Sequence, residues 1–331
     1  RRPRYLAARA AHAAYRVTLI TCCDPQHHGR HDRFPDGKLD NKHKMPGLPI
    51  TNALTIDVED YFQVSALAPY IPREQWDSRE CRVERNVERI LLMLDEGRTR
   101  ATFFTLGWVA ERYPQLVRRI VAGGHELASH GYGHQRASDL SEAEFSADIS
   151  SAKKLLEDIS GEEVKGYRAP SFSIGEANLW AFDCLARAGY RYSSSIYPIR
   201  HDHYGMPNAP RFAHQVRDGL LELPVTTLRY FDRNWPASGG GYFRLLPYAL
   251  SRWLLRKVNQ RDQQPAIFYF HPWEIDAEQP RVAGISTKTR FRHYVNLQYT
   301  EARIRRLLGD FSWGRMDEVF LAAAVRPPMV N

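Results

Sequence analysis

The chain is poor in cysteine and has no long apolar run. Its four cysteines are the adjacent Cys22 and Cys23 and the distant Cys81 and Cys184. They define no disulfide framework, so the fold must rest on its core, and the thiols fit a reducing compartment. No stretch reaches the roughly 18 apolar residues that a membrane-spanning helix needs. Tyr15–Cys23 is too short for a secretory leader and lacks a small-residue cleavage site, so the expected location is the cytoplasm. Charge imbalance is also small. The net charge is +8, but residues 1–44 alone hold ten Lys/Arg against four Asp. The remainder is nearly balanced, which argues against nucleic acid as a partner of the folded part. Internal repeats and low-complexity tracts are missing too.

Residues 1–44 mix Arg, Ala, His, Asp and Gly without a sustained period and read as disordered or non-native. Met45 stands just before the first strong strand. Native translation is expected to start there, with the upstream piece coming from an extended reading frame; a basic tail is the competing reading. An intact mass that begins well before Met45 would exclude the first.

What is present is enough for a large core: 43% hydrophobic and 12% aromatic residues in a chain of 331. That length suits one large α/β barrel or two domains. Asn52–Val58 reads as a buried strand that ends in carboxylates. Val83–Leu94 has helical spacing and stops at Gly97. Arg100–Leu106 is a strand, Trp108–Val121 a helix with Pro114 near its main start, and His125–Ala128 a short strand. Ser141 and Glu144 form a capping box for a helix to Ile159. Gly166–Pro170 is strand then loop. A second capping box, Ser173 with Glu176, predicts a helix to Ala188, and Tyr190–Ser195 a strand. Alternation from 50 to 195 predicts a parallel sheet wrapped by helices. Residues 197–215 read as a long loop. Beyond it come a strand at Leu220–Thr227, a tight turn at Gly239–Gly241, a helix at Leu245–Val258, a strand at Pro265–Phe270 and a helix near Thr300–Leu308.

Four strand ends carry polar groups, and in such folds reactive groups collect at the C-terminal edge of the strands. They are the acidic cluster Asp57, Glu59 and Asp60; the pair His130 and His134; Arg168; and His271. Two imidazoles one helical turn apart can hold one metal ion from the same side. The competing reading is two surface histidines flanking a turn. For Asp60 the competing role is a helix N-cap. For Arg168 it is a structural ion pair, and for His271 a residue closing a buried strand.

These motifs resemble those of the polysaccharide deacetylase family, the NodB-homology carbohydrate esterases, over residues 50–275. DVEDYF, RAPSFS and FHPWE are most similar to the deacetylases found beside exosortase/PEP-CTERM exopolysaccharide loci. The resemblance implies a bacterial protein with a distorted (β/α) barrel over residues 45–275 and a C-terminal extension over 276–331. It implies Asp57 as base, Glu59 or, second, Asp60 as acidic metal ligand, and His130 and His134 as the other ligands. Arg168 would hold Asp57, and the N–H of Ser171 would help bind the oxyanion. Pro170, Ser171, Phe172 and Trp273 would line the substrate groove, and His271 would be the general acid. The family's fourth motif usually supplies an Asp that tunes this His, but Tyr192–Ser195 holds no acid. Asp202, Glu274 and Asp276 are the candidates for that role.

The activity implied is metal-dependent removal of N-acetyl groups from an N-acetylhexosamine-containing polysaccharide, with Zn²⁺ the first choice of divalent ion. The implied setting is exopolysaccharide biosynthesis, in association with its synthesis machinery. Two other readings stay open. One is a hydrolase of small amides, allantoinase-like, on the same fold. The other is a carbohydrate-binding protein that has lost activity, for which the missing acid is the support.

Overall fold

A computed structural model of the chain describes residues 50–201 and 204–322. The expectations for residues 1–44 and for Asp202 lie outside the described residues.

The first strand, β1 (Thr51–Val58), is buried at every position but its first. A strand apolar on both faces belongs in the middle of a parallel sheet. The chain then alternates: α1 (Val83–Glu96), β2 (Thr102–Thr105), α2 (Gly107–Arg112), α3 (Pro114–Ala122), β3 (Glu126–Ser129), α4 (Glu142–Ser160), β4 (Gly166–Tyr167), α5 (Ala181–Arg187) and β5 (Tyr192–Ser193). There follow β6 (His214–Arg217), β7 (Leu220–Glu222), the hairpin β8 (Thr227–Tyr230) and β9 (Arg233–Pro236), α6 (Gly240–Leu245) and α7 (Tyr248–Lys257). The last elements are β10 (Ile267–Phe270), α8 (Thr287–Tyr294), α9 (Leu297–Asp310) and β11 (Ser312–Gly314).

Nine strands form one curled sheet in the order β10-β1-β2-β3-β4-β5-β7-β6, with β11 also paired to β1. All pairings in it are parallel except β6 with β7. The alternation predicted the parallel, helix-wrapped sheet, and its curl is that of the distorted barrel the resemblance implies. Its largest apolar cluster joins α1, β1 and β2 to residues of α7, β10 and α9, with Leu54, Ile90, Phe103, Leu255, Phe268 and Ile304 all buried.

Several elements depart from the sequence reading for local reasons. The helix expected over Trp108–Val121 is two helices, broken at Tyr113 because Pro114 opens the second. Ser173 caps no helix, because its hydroxyl accepts from the Ala137 N–H instead (2.9 Å); α5 starts only at Ala181. Pro224 divides the expected strand Leu220–Thr227 into β7 and β8. The helix expected over Leu245–Val258 starts only after Pro247, as α7, and the stretch read as a tight turn at Gly239–Gly241 opens a separate short helix, α6. α8 and β11 were not anticipated, having too few apolar positions to show a period. The segment after 275 does not stand apart, since β11 enters the main sheet beside β1.

Candidate active site

β1, β3 and β10 end at the same edge of the sheet, so Asp57, Glu59, His130 and His271 converge on it. β1 delivers Asp57 as its penultimate residue and Glu59 immediately after its end. β3 ends at Ser129, and its His130 N–H bonds to the Thr105 carbonyl on β2 (3.0 Å). The two histidines are not on a helix, contrary to the spacing argument. They bracket a tight turn in which Gly131 has φ +75° and His134 has φ +54°. A Cβ on Gly131 would lie 2.7 Å from Asp148 Oδ2, so this turn requires glycine for both space and conformation. Asp148, on α4, accepts hydrogen bonds from the Tyr132 N–H with both carboxylate oxygens (3.2 and 3.1 Å). The turn brings the rings of His130 and His134 to 5.2 Å, centroid to centroid.

Glu59, His130 and His134 form a cluster whose ligand atoms all lie within 4.8 Å of one another. Its donors fit a divalent metal. Glu59 Oε2 is buried and has no hydrogen bond of acceptable geometry, although His134 Nε2 approaches to 2.6 Å. His130 Nδ1 lies 2.8 Å from the Arg168 carbonyl, which suits an Nδ1–H donor and leaves Nε2 for a metal. Burial pushes the His130 pKa down to about 4, so the ring is neutral, as a ligand must be. For Glu59, burial favours protonation, but His134 and His271 outweigh it and hold the carboxylate ionised. Asp60 is not in the cluster. Its oxygens accept from the N–H groups of Tyr61 (2.8 Å), Arg82 (2.5 Å) and Val83 (2.8 Å), the capping role weighed against the ligand role above.

Asp57 lies beside this cluster. Arg168, with no exposed surface, donates from one nitrogen to Asp57 Oδ1 (2.6 Å) and Thr55 Oγ1 (2.8 Å). Its other nitrogens bond to the Ser194 carbonyl and hydroxyl. His271 Nε2 is 3.8 Å from Asp57 Oδ2 and 3.7 Å from Glu59 Oε1. On its other side, Nδ1 is 3.2 Å from Glu274 Oε2, and the same oxygen accepts the His271 backbone N–H (3.0 Å). Glu274 is therefore the carboxylate that orients this imidazole. Asp276 is engaged elsewhere, by Arg82 (2.6 Å) and Arg85 (3.2 Å). Burial alone would lower the His271 pKa, but Glu59, Glu274 and Asp57 raise it to about 9.

The groove residues divide. A cleft of about 580 Å³ opens over the cluster and is lined by Ser171, Phe172, His271 and Trp273 among others. Pro170 is not among its walls; it starts the turn that carries Ser171. Ser171 (φ 56°) and Phe172 (φ 51°) both take left-handed backbone, a strained pair of the kind functional loops hold. The Ser171 hydroxyl meets that of Ser65 at 2.6 Å. Trp273 donates its indole N–H to Glu59 Oε1 (3.1 Å), so it braces a cluster residue as well as the cleft. Sequence reasoning missed Asp148, although its place three residues after Phe145 puts it beside the buried stripe of α4. It also missed Arg244 and the whole of α8, which reach the cleft only through the fold.

The fold and this edge give an α/β barrel with an acid–His–His cluster and an Arg-held aspartate in one cleft. The family model described as polysaccharide deacetylase matches residues 76–193, and a domain of unknown function, DUF3473, matches 194–321. The chain is similar to a peptidoglycan-N-acetylglucosamine deacetylase of Bacillus cereus, 35% identical over 28% of this chain and 34% of that protein. It is also similar to a chitooligosaccharide deacetylase of Azorhizobium caulinodans, 38% identical over 24% of this chain and 38% of that protein. The chain thus spans about a third of the length of these relatives. In fold it is similar to a polysaccharide deacetylase structure from Mycobacterium smegmatis (TM-score 0.54, 22% identity, 90% of this chain and 96% of that one). The structure of Puue allantoinase is similar too (TM-score 0.54, 16% identity, 86% and 94%).

Proposed function

We propose that the protein removes N-acetyl groups from an N-acetylhexosamine-containing polysaccharide, with a divalent metal, Zn²⁺ first, held by Glu59, His130 and His134. The observation that carries this reading is the placement of Asp57 and His271 together at the metal cluster within one cleft. The bound ion would supply Lewis acidity toward the acetyl carbonyl and a water molecule. Asp57, fixed by Arg168, takes the proton of the attacking water. The Ser171 N–H donates to the carbonyl oxygen as negative charge develops there. His271, fixed by Glu274, gives its proton to the sugar nitrogen as the C–N bond breaks, and acetate and a free amine leave.

The finer setting is part of the same proposal: exopolysaccharide biosynthesis by a cytoplasmic enzyme that works beside the synthesis machinery, as in the exosortase-associated deacetylases. No helix among the described residues is long and apolar enough to cross a membrane. The reading of a binder without activity rested on a missing acid; a Glu274 carboxylate 3.2 Å from His271 Nδ1 supports the enzyme reading instead. Acetate release from acetylated glycans, measured with and without chelator, tests the reading. Release that the chelator abolishes is expected. A metal-loaded protein that frees no acetate from a broad glycan panel, yet cleaves small cyclic amides, would establish the allantoinase-like alternative.

A further inference from the structure

The acid beside His271 is itself held by a second buried side chain of the same C-terminal region. Glu274 has two oxygens; one faces His271 and the other, Oε1, accepts from Arg244 Nε at 2.7 Å. Arg244 is 3% exposed and lies on α6, within the region of unknown function. Its remaining nitrogens donate to the carbonyls of His293 (2.7 Å), Val295 (3.1 Å) and Arg292 (3.0 Å), at and just past the C-terminal end of α8. Those carbonyls lack partners within the helix, so one guanidinium satisfies them and Glu274 together. The rings follow the same path. His271 stacks on Trp273 (5.2 Å, 20°), and Trp273 stacks on His293 of α8 (4.4 Å, 13°).

The chain is shaped to bring Arg244 here. Gly239 (φ +131°) pairs with Tyr269 of β10, the strand that delivers His271. A Cβ on Gly239 would sit 2.0 Å from the Tyr269 carbonyl oxygen, and one on Gly240 would sit 2.5 Å from the Tyr269 hydroxyl. Only glycine allows α6 to start against that strand. From the other side, Asn296 and Arg303 donate to the Arg244 carbonyl (2.8 and 2.9 Å), which fixes the backbone as well as the side chain.

We propose that Arg244 is a positioning residue for the proton donor: it fixes Glu274, and through it His271. Burial would raise the Glu274 pKa, but Arg244 and His271 lower it to about 2, in keeping with a permanent ion pair. The inference rests on the deacetylase reading above. Its consequence is specific to the leaving group. A sugar amine cannot depart without a proton, whereas the phenolate of 4-nitrophenyl acetate can, so a misplaced donor should harm one reaction and spare the other.

The test uses the full chain loaded with Zn²⁺ and both substrates. Arg244→Met and Glu274→Gln are each expected to lower kcat for acetate release from an acetamido glycan by about 10²-fold, with KM little changed. Ester hydrolysis and Zn²⁺ affinity should stay close to wild type, and Arg244→Lys should recover part of the amide rate. Equal loss on both substrates, or unchanged amide turnover, overturns the proposal. If Arg244→Met does not fold, Glu274→Gln, which keeps the side-chain shape, decides the matter. A wild-type protein that frees no acetate from any glycan overturns the deacetylase reading, and this inference with it.

Discussion

In the proposed mechanism Asp57 and His271 stand on either side of one chemical event, and each has a carboxylate or guanidinium partner: Arg168 for the first, Glu274 for the second. Neither belongs to the Glu59–His130–His134 cluster. Asp57→Asn and His271→Ala should therefore each lower kcat on a verified glycan by roughly 10²–10⁴-fold while Zn²⁺ binding persists. Calorimetric Zn²⁺ titration beside an acetate assay checks both halves, and near wild-type turnover in either variant removes its assigned role. A third residue makes a different prediction. Glu222 is fully buried; one oxygen accepts the N–H groups of Ser195 (2.9 Å) and Ile196 (2.8 Å), and the other has no partner. Burial raises its pKa from 4.5 to about 7. The folded state thus binds this proton more tightly than the unfolded state, and the associated stability is lost as pH rises through about 7. Glu222→Gln stays neutral, so its melting temperature relative to wild type should climb between about pH 5 and pH 8, by the equivalent of about 1–3 kcal/mol. A pH-independent gap would show that the carboxyl is already ionised in the fold. The contrast with Asp57, Arg168 and His271 shows what sequence can reveal. Those three follow from strand ends and short motifs, whereas Glu222 meets Ser195 only because β7 lies beside β5.

At the scale of elements, helices and strands with a clear period were legible, and the exceptions were set by proline or by a side chain recruited elsewhere. Pro114 divides an element that the apolar pattern runs together, Pro224 ends a strand early, and Pro247 delays a helix start. The turn from His130 to His134 is the instructive case. Its spacing fits a helix, but Gly131 and Gly133 permit a tighter path, and α4 holds that path through Asp148. Asp148 hydrogen-bonds the backbone between the two imidazoles, so its effect should fall on metal affinity. Asp148→Ala keeps a good helix former at this position and is expected to weaken Zn²⁺ binding by about 10–100-fold, as loss of a support behind metal ligands does. Competition with a chelator of known affinity measures it. Unchanged affinity would mean that the glycines alone fix the turn.

At the scale of the whole molecule, the two matched segments do not correspond to two folding units. Residues 76–193 supply β2 to β5 from the middle of the sheet, while 194–321 supply β6 and β7 at one end and β10 at the other, with β11 also on β1. Leu228, Phe243, Phe268 and Ile304 of the later segment share one apolar cluster with Leu54, Ile90 and Phe103 of the earlier part. Removing the later segment would open the ladder on β1 and on β5 together and uncover that cluster, leaving unpaired strand edges of the kind that aggregate. It would also remove His271, Glu274 and Arg244 from the cleft. The full chain is therefore expected to unfold in calorimetry as one transition across residues 50–322, with calorimetric and van't Hoff enthalpies equal. A chain ending after Ile196 should be insoluble or molten, with exposed apolar surface that binds a hydrophobic dye. Two resolved transitions, or a shortened chain that melts cooperatively, would show that the central strands can close a core without their C-terminal neighbours. In that case the later segment would be needed for the residues it brings to the cleft and not for the fold that carries them.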